Sequence, residues 1–267
     1  MIKGIDHVVI LVDDLDTAVQ DYTDLGFRVT PGGEHTGGAT HNALVAFRDG
    51  SYFELIAFKK DAPDHRWARF RGKREGLVDF ALLPTAIEED IAGARERGAA
   101  YEGPTPGGRT RPDGQEVKWQ TGLPPRDGLP FLCGDVTPRD LRVPSGEVWE
   151  HPNGVQGIAT VSVIVNDLDE AAVQYAALLG IEAPSRYDDL SSAFRRARFR
   201  VGDAVIALVE STAENPIAPD LADYGEGPFA LDLLGAPDGE RPALDAAKAH
   251  GVRLAWLPAD EANTRTT

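Results

Sequence analysis

Residues 4–25, GIDHVVILVDDLDTAVQDYTDL, return at 157–178 as GIATVSVIVNDLDEAAVQYAAL. At an offset of 153, ten of these 22 positions are identical: Gly4, Ile5, Val8, Val12, Asp14, Leu15, Asp16, Ala18, Tyr22 and Leu25. The same offset carries Ala94 to Ala247 and Gly98 to Gly251. A fixed period of this length is the mark of a tandem duplication, so the chain must fold as two related halves.

Each half subdivides again. Residues 4–12 alternate, with Val8, Ile10 and Val12 on one face and His7, Val9 and Leu11 on the other, which predicts a strand. Asp13, Asp14 and Asp16 supply N-cap candidates for a helix carrying Leu15, Val19, Tyr22 and Leu25 at helical spacing, stopped by Gly26. Strands are expected at about 27–30, 42–48 and 51–58, the last two joined through Asp49-Gly50. A second unit repeats the order, with a strand at 76–84, a helix at 86–98 and strands at 99–102, 115–121 and 129–133. The fold class is α+β: tandem βαβββ modules at 4–60 and 76–135 in a first domain (1–135), a Pro- and Gly-rich linker at 136–156, and a second, incomplete and degenerate half at 157–267. In that half a helix is expected near 242–250 and a disordered tail at 259–267.

Composition excludes several functions. Forty-three acidic residues against 27 basic ones give a net charge of −16, which opposes nucleic-acid binding despite HRWARFRGKR at 65–74. No apolar run is long enough for a membrane helix, and Asp6, His7, Asp13 and Asp14 interrupt any signal-peptide pattern. The single cysteine, Cys133, excludes an intrachain disulfide, and the expected compartment is the cytoplasm. There is neither a Gly-x-Ser-x-Gly elbow nor a Gly-x-Gly-x-x-Gly loop.

The paired βαβββ order, with the opening DHVVILVDDLDTAVQDYTDLGF, resembles the vicinal oxygen chelate superfamily of glyoxalases, extradiol dioxygenases and bleomycin- and fosfomycin-resistance proteins. The stretches LGFRVTPGGEHTGGATHNALVAFRDGSYFELIAF (25–58), RTRPDGQEVKW (109–119) and LPFL (129–132) are similar to the glyoxalase-like domain family. The resemblance implies a cupped sheet holding a divalent ion (Fe, Mn, Ni or Zn) between the first and last strands of each module. His7 and Glu54 match those ligand positions; Asp79 aligns with His7 as a third ligand, whereas Leu132 stands where Glu54 does. In the second half Thr160 and Ile206 take the two places, so no such metal site is expected there.

Residue chemistry keeps alternatives open. His7 reads as a ligand or as a satisfied core histidine. Glu54, in an apolar strand beside Tyr52, is costly unless paired or ligating, and burial that raised its pKa would fit it to move a proton. Glycines 32, 33, 37 and 38 suggest a loop in close approach to a ligand or another backbone, bringing His41 and Asn42 to the lip of the cup. Trp119 offers an aromatic wall, and Arg109 and Arg111, flanking a turn, suit a substrate anion. Two functions are expected: a metal-dependent lyase, isomerase or dioxygenase acting on a small oxygenated molecule, or a metal-free small-molecule binder of the bleomycin-resistance type. A homodimer would suit the second half if it only scaffolds.

Overall fold

Alternation along the first strand decides which side of the sheet becomes core. In the computed structural model, β1 (Ile2–Leu11) sends Val8 and Ile10 into the main core, and Val12, just past its end, joins them. Val9 and Leu11 enter a separate cluster with Ile56, Trp67, Phe131 and Cys133. The structure describes residues 1–183, 188–191, 194–211, 217–235, 242 and 244–257.

The first half runs β1, α1 (Leu15–Asp24), β2 (Thr30–His35), β3 (Thr40–Ala46), β4 (Tyr52–Phe58), then β5 (Gly76–Pro84), α2 (Ile87–Glu96), β6 (Glu102–Thr110), β7 (Glu116–Leu123) and β8 (Phe131–Asp135). Its eight strands close into a barrel in the order β1-β4-β3-β2-β6-β7-β8-β5. The two expected modules therefore share one barrel, joined where β1 pairs antiparallel with β5 and where β2 meets β6.

After α3 (Arg139–Arg142), the second half runs β9 (Val155–Val165), α4 (Leu168–Leu179), β10 (Asp188–Ser191), β11 (Phe194–Val201), β12 (Ala204–Ser211), α5 (Ala218–Tyr224), β13 (Gly227–Gly235) and β14 (Arg253–Trp256). These strands form an open sheet ordered β10-β11-β12-β9-β13-β14. The duplication shows in the ladders: β9 lies parallel to β12 and antiparallel to β13, as β1 does to β4 and β5. It shows in the caps too. Asp14 accepts from the Thr17 N–H at 2.8 Å and Asp167 from the Glu170 N–H at 2.9 Å, each satisfying a free amide of a first turn.

Several sequence expectations need correction. The strand expected at 27–30 is β2 at 30–35, so most of the glycine-rich stretch is strand. A Cβ on Gly33 (φ +135°) would lie 2.1 Å from the Thr110 carbonyl, so glycine is what lets β2 reach β6 and close the barrel. The strand expected at 99–102 is β6, reaching Thr110; Arg109 is therefore in a strand, and only Arg111 borders the turn. Residues 246–251 form turns rather than a helix, with Gly251 at φ +78°. The disorder expected at 259–267 lies outside the described residues. The linker is folded: Arg142, His151 and Asn153 within it are buried.

Candidate functional site

A β-bulge builds the centre of the site. The pairing of β1 with β5 slips between Ile5 and His7, leaving Asp6 as an extra residue beside His7. Asp6 is fully buried and makes four contacts. One carboxylate oxygen accepts from His7 Nδ1 at 2.6 Å and Arg142 Nη1 at 2.7 Å. The other accepts from Arg142 Nη2 at 2.9 Å and Arg139 Nη1 at 2.6 Å. Burial opposes the charge, but the Arg142 guanidinium and the His7 hydrogen bond hold Asp6 well below the usual carboxylate range. An ionised Asp6 accepts a hydrogen bond from the Nδ1–H of His7, which fixes that proton and turns Nε2 toward the barrel cavity. Tyr52 stacks on the His7 ring at 4.6 Å, and Phe131 meets it edge-on at 5.3 Å.

Glu54 lies next to it on β4. His7 Nε2 is 3.5 Å from one Glu54 oxygen, His35 Nε2 is 3.3 Å from the other, and Asn42 Nδ2 donates to that second oxygen at 2.6 Å. Burial pushes the Glu54 carboxyl up, but His35, His7 and Asn42 together overcome it and hold the group at about 2. The raised pKa that would fit Glu54 to move a proton is thus reversed: it is an ionised, acceptor-only group. Asn42 is fixed by Gly32, where a Cβ would fall 2.0 Å from Asn42 Oδ1. That Oδ1 is buried without a hydrogen-bond partner.

The cavity holding these groups measures about 370 Å³. Its wall includes Trp119, Phe131, Ile56 and Cys133, and its rim includes His65 and Arg66. Arg66 lies 4.7 Å over the Phe131 ring while pairing with Asp79 at 2.5 Å. Trp119 crosses Gly107, where a Cβ would meet the indole at 2.4 Å.

Of the residues singled out in the sequence, the structure brings His7, Glu54, Asn42, Tyr52, Trp119 and Arg109 to this cavity or its first supporting contacts. It does not bring Asp79, His41 or Arg111. Asp79 accepts from Trp67 Nε1 at 2.9 Å and the Phe80 N–H at 2.9 Å besides pairing with Arg66, and lines a neighbouring cleft instead. Burial still raises its carboxyl above the ordinary value. His41 follows Thr40 on β3 and precedes Asn42, so alternation turns it to the outer surface beside Lys59 and Glu34. Arg111 pairs with Asp113 at 3.1 Å. His35, on which the sequence raised no expectation, is the histidine that reaches Glu54; HTGGATH (35–41) holds both His35 and His41, and no local pattern distinguishes them.

Register corrects two equivalences. Within the first half, Val9 faces Glu54 and, by the same geometry, Ala81 faces Phe131, so Phe131 rather than Leu132 stands in the place of Glu54. Leu132 points into the main core. In the second half Thr160 pairs with Val205 as His7 does with Tyr52, so Ala207 rather than Ile206 is the counterpart of Glu54. A one-residue slip turns a side chain to the other face of a strand.

Two donor sets could hold a metal. Asp6, His7 and Cys133 present ligand atoms within 4.8 Å of one another. Asp6, however, is saturated by two arginines, and burial pushes the Cys133 thiol far up, so it stays protonated. The cavity-facing set of His7, His35 and Glu54 has the more suitable chemistry, two imidazoles and an ionised carboxylate with Asp6 as the outer partner of one imidazole, but its ligand atoms do not all lie within 4.8 Å of one another, so the two imidazoles would have to draw together around an ion.

Among the described residues no helix is long and apolar enough to cross a membrane. No curated protein matches the sequence. A hypothetical protein from Staphylococcus aureus shares the fold with a TM-score of 0.70 at 14% identity, covering 95% of this chain and 99% of that one. A mutant 4-hydroxymandelate synthase from Streptomyces coelicolor follows with a TM-score of 0.58 at 17% identity, covering 88% and 72%. The family model of the glyoxalase-like domain matches residues 5–179. With its paired βαβββ modules and cupped barrel, this chain belongs to the glyoxalase-like domain family and has the vicinal oxygen chelate fold.

Proposed function

We propose that the protein is a metal-dependent lyase, isomerase or oxygenase acting on a small oxygenated molecule in the first-half barrel. The observation that carries this reading is that His7 Nε2 and His35 Nε2 each lie against a different oxygen of ionised Glu54 in the cavity wall. Two imidazoles and one carboxylate suit Fe(II) in particular, and Mn, Ni or Zn as well. When bound, a divalent ion would polarise substrate oxygens and stabilise negative charge developing on them. The protein's own groups do the rest. Asp6 keeps His7 in one tautomer, Asn42 fixes Glu54, and Trp119 and Phe131 line the cavity as an apolar wall.

A second reading is a metal-free binding protein. Its support is that Glu54 is already satisfied by direct contacts to two imidazoles and an amide, as a carboxylate buried without an ion requires. Elemental analysis of native protein, purified without chelator or immobilised nickel, separates the two. The enzyme reading expects near-stoichiometric metal that is lost in His7→Ala, His35→Ala and Glu54→Ala and retained in Asp79→Asn. Protein without metal, before and after incubation with divalent ions, would leave the binding reading.

A further inference from the structure

Three arginines line the barrel cavity, Arg66, Arg109 and Arg142, and two of them are matched to carboxylates. Arg142 forks onto Asp6 and also meets Asp135, Arg139 shares the same two acids, and Arg66 pairs with Asp79. Arg109 has no such partner. It is 4% exposed, its Nε donates to the Gly32 carbonyl at 3.0 Å, and its Nη2 donates to the Arg142 carbonyl at 2.6 Å. Among the described residues no carboxylate lies within the 4 Å of an ion pair, and Nη1 has no hydrogen bond. A largely buried guanidinium held only by carbonyls is expensive to keep charged. Here the cost is met inside a ligand cavity, where an incoming anion would cancel it.

The pairs Arg142–Asp6 and Arg66–Asp79 cancel, which leaves Glu54 and Arg109 as the unmatched charges lining the cavity. We infer that Arg109 is the anchor for a carboxylate on the ligand, with Nη1 donating to one carboxylate oxygen. One free guanidinium nitrogen suits a single carboxylate better than a phosphate dianion, which would call for several donors. Trp119, Phe131 and Ile56 add an apolar, largely aromatic wall, so the ligand class is a small carboxylic acid with an apolar body. This rests on the reading of the barrel cavity as the ligand site, but not on the ion.

Phenylacetate and its neutral isostere phenylacetamide are suitable probes. Each is titrated into the full-length protein, chelator-treated and Mn(II)-loaded, with tryptophan fluorescence as the readout. The acid is expected to bind at least about tenfold tighter than the amide in both preparations, as one charge-assisted hydrogen bond provides. In Arg109→Gln the two probes bind alike, and Arg109→Lys keeps part of the preference. If Arg109→Gln does not fold, the wild-type comparison and the lysine variant still decide. Equal binding of acid and amide, no binding of either at millimolar concentration, or a preference that survives in Arg109→Gln overturns the inference. So does a preference that appears only with Mn(II), because the ion would then be the anchor. A preference in chelated protein that takes up no metal keeps the carboxylate anchor and removes the metal-dependent reading.

Discussion

Asp6 makes no contact with the cavity yet determines what His7 can do there. Its charge balances the fully buried Arg142 guanidinium and fixes the proton on His7 Nδ1. Asp6→Asn leaves Arg142 with only Asp135 and Tyr52, and removing one member of a buried pair costs roughly 3 kcal/mol or more. The variant is expected to melt several degrees lower. Where it folds, metal affinity should fall about 10- to 100-fold, as for the loss of an outer partner of a ligating imidazole. Thermal melts beside metal titrations check both. Unchanged affinity in a folded variant would show that His7 does not need Asp6. The sequence displayed His7 and Glu54 openly, as polar groups in apolar strands. It concealed that Asp6 is the unpaired residue of a bulge, because a bulge is a property of two strands together.

At the scale of elements, the connection between the halves is the part most misjudged from composition. Its prolines and glycines read as a spacer, yet α3 carries the two arginines that hold Asp6, and His151 packs against both the Phe27 and Phe47 rings. His151 Nδ1 accepts from the Arg28 N–H at 2.9 Å, so its Nε2–H donates to the Ala46 carbonyl at 2.9 Å. This pattern needs the neutral ring, and burial lowers its pKa below the ordinary 6.5. Below that value the unfolded chain binds a proton that the folded chain resists. The stability His151 contributes is therefore complete above about pH 6.5 and declines as pH falls beneath it, by at most about 1.4 kcal/mol per pH unit for one proton. His151→Gln, which can accept and donate at the same two places, should flatten that part of the profile. Urea melts between about pH 5 and 7 would measure it; identical slopes in both proteins would remove His151 as the cause. Glycine placement was legible as close approach, but whether to a ligand or to a backbone was not, and Gly33 against Thr110 supplies the answer.

The whole molecule has one principal core. Val8, Ile10 and Tyr22 of the first half share it with Val161, Tyr175, Phe199 and Leu231 of the second. Polar contacts cross the same boundary: Tyr175 Oη donates to the Gly128 carbonyl at 2.6 Å, Arg126 pairs with Glu226 at 2.6 Å, and Tyr22 Oη donates to the Ala249 carbonyl at 3.2 Å. The halves are therefore expected to unfold together, in a single calorimetric transition whose enthalpy matches the van't Hoff value. A fragment of residues 1–156 would expose the outer face of β1 and β5 and should aggregate or fail to fold, even though it contains every candidate site residue. Two separated transitions, or a stable monomeric fragment with native circular dichroism, would contradict this. The second half thus contributes by covering the barrel, and neither Thr160 nor Ala207 offers it a ligand pair of its own.

Local periodicity and spacing along one chain are enough to reveal the duplication, the βαβββ order, the strand faces and the pairing of an imidazole with a carboxylate. Which groups meet depends on how the strands close and pair. Barrel closure brought His35 rather than His41 to Glu54, register put Phe131 and Ala207 where other residues were expected, and folding of the connection placed Arg142 against Asp6. Those outcomes follow from ladder register and long-range contact, in which a shift of one residue reverses a side chain, and no periodicity in the sequence encodes them.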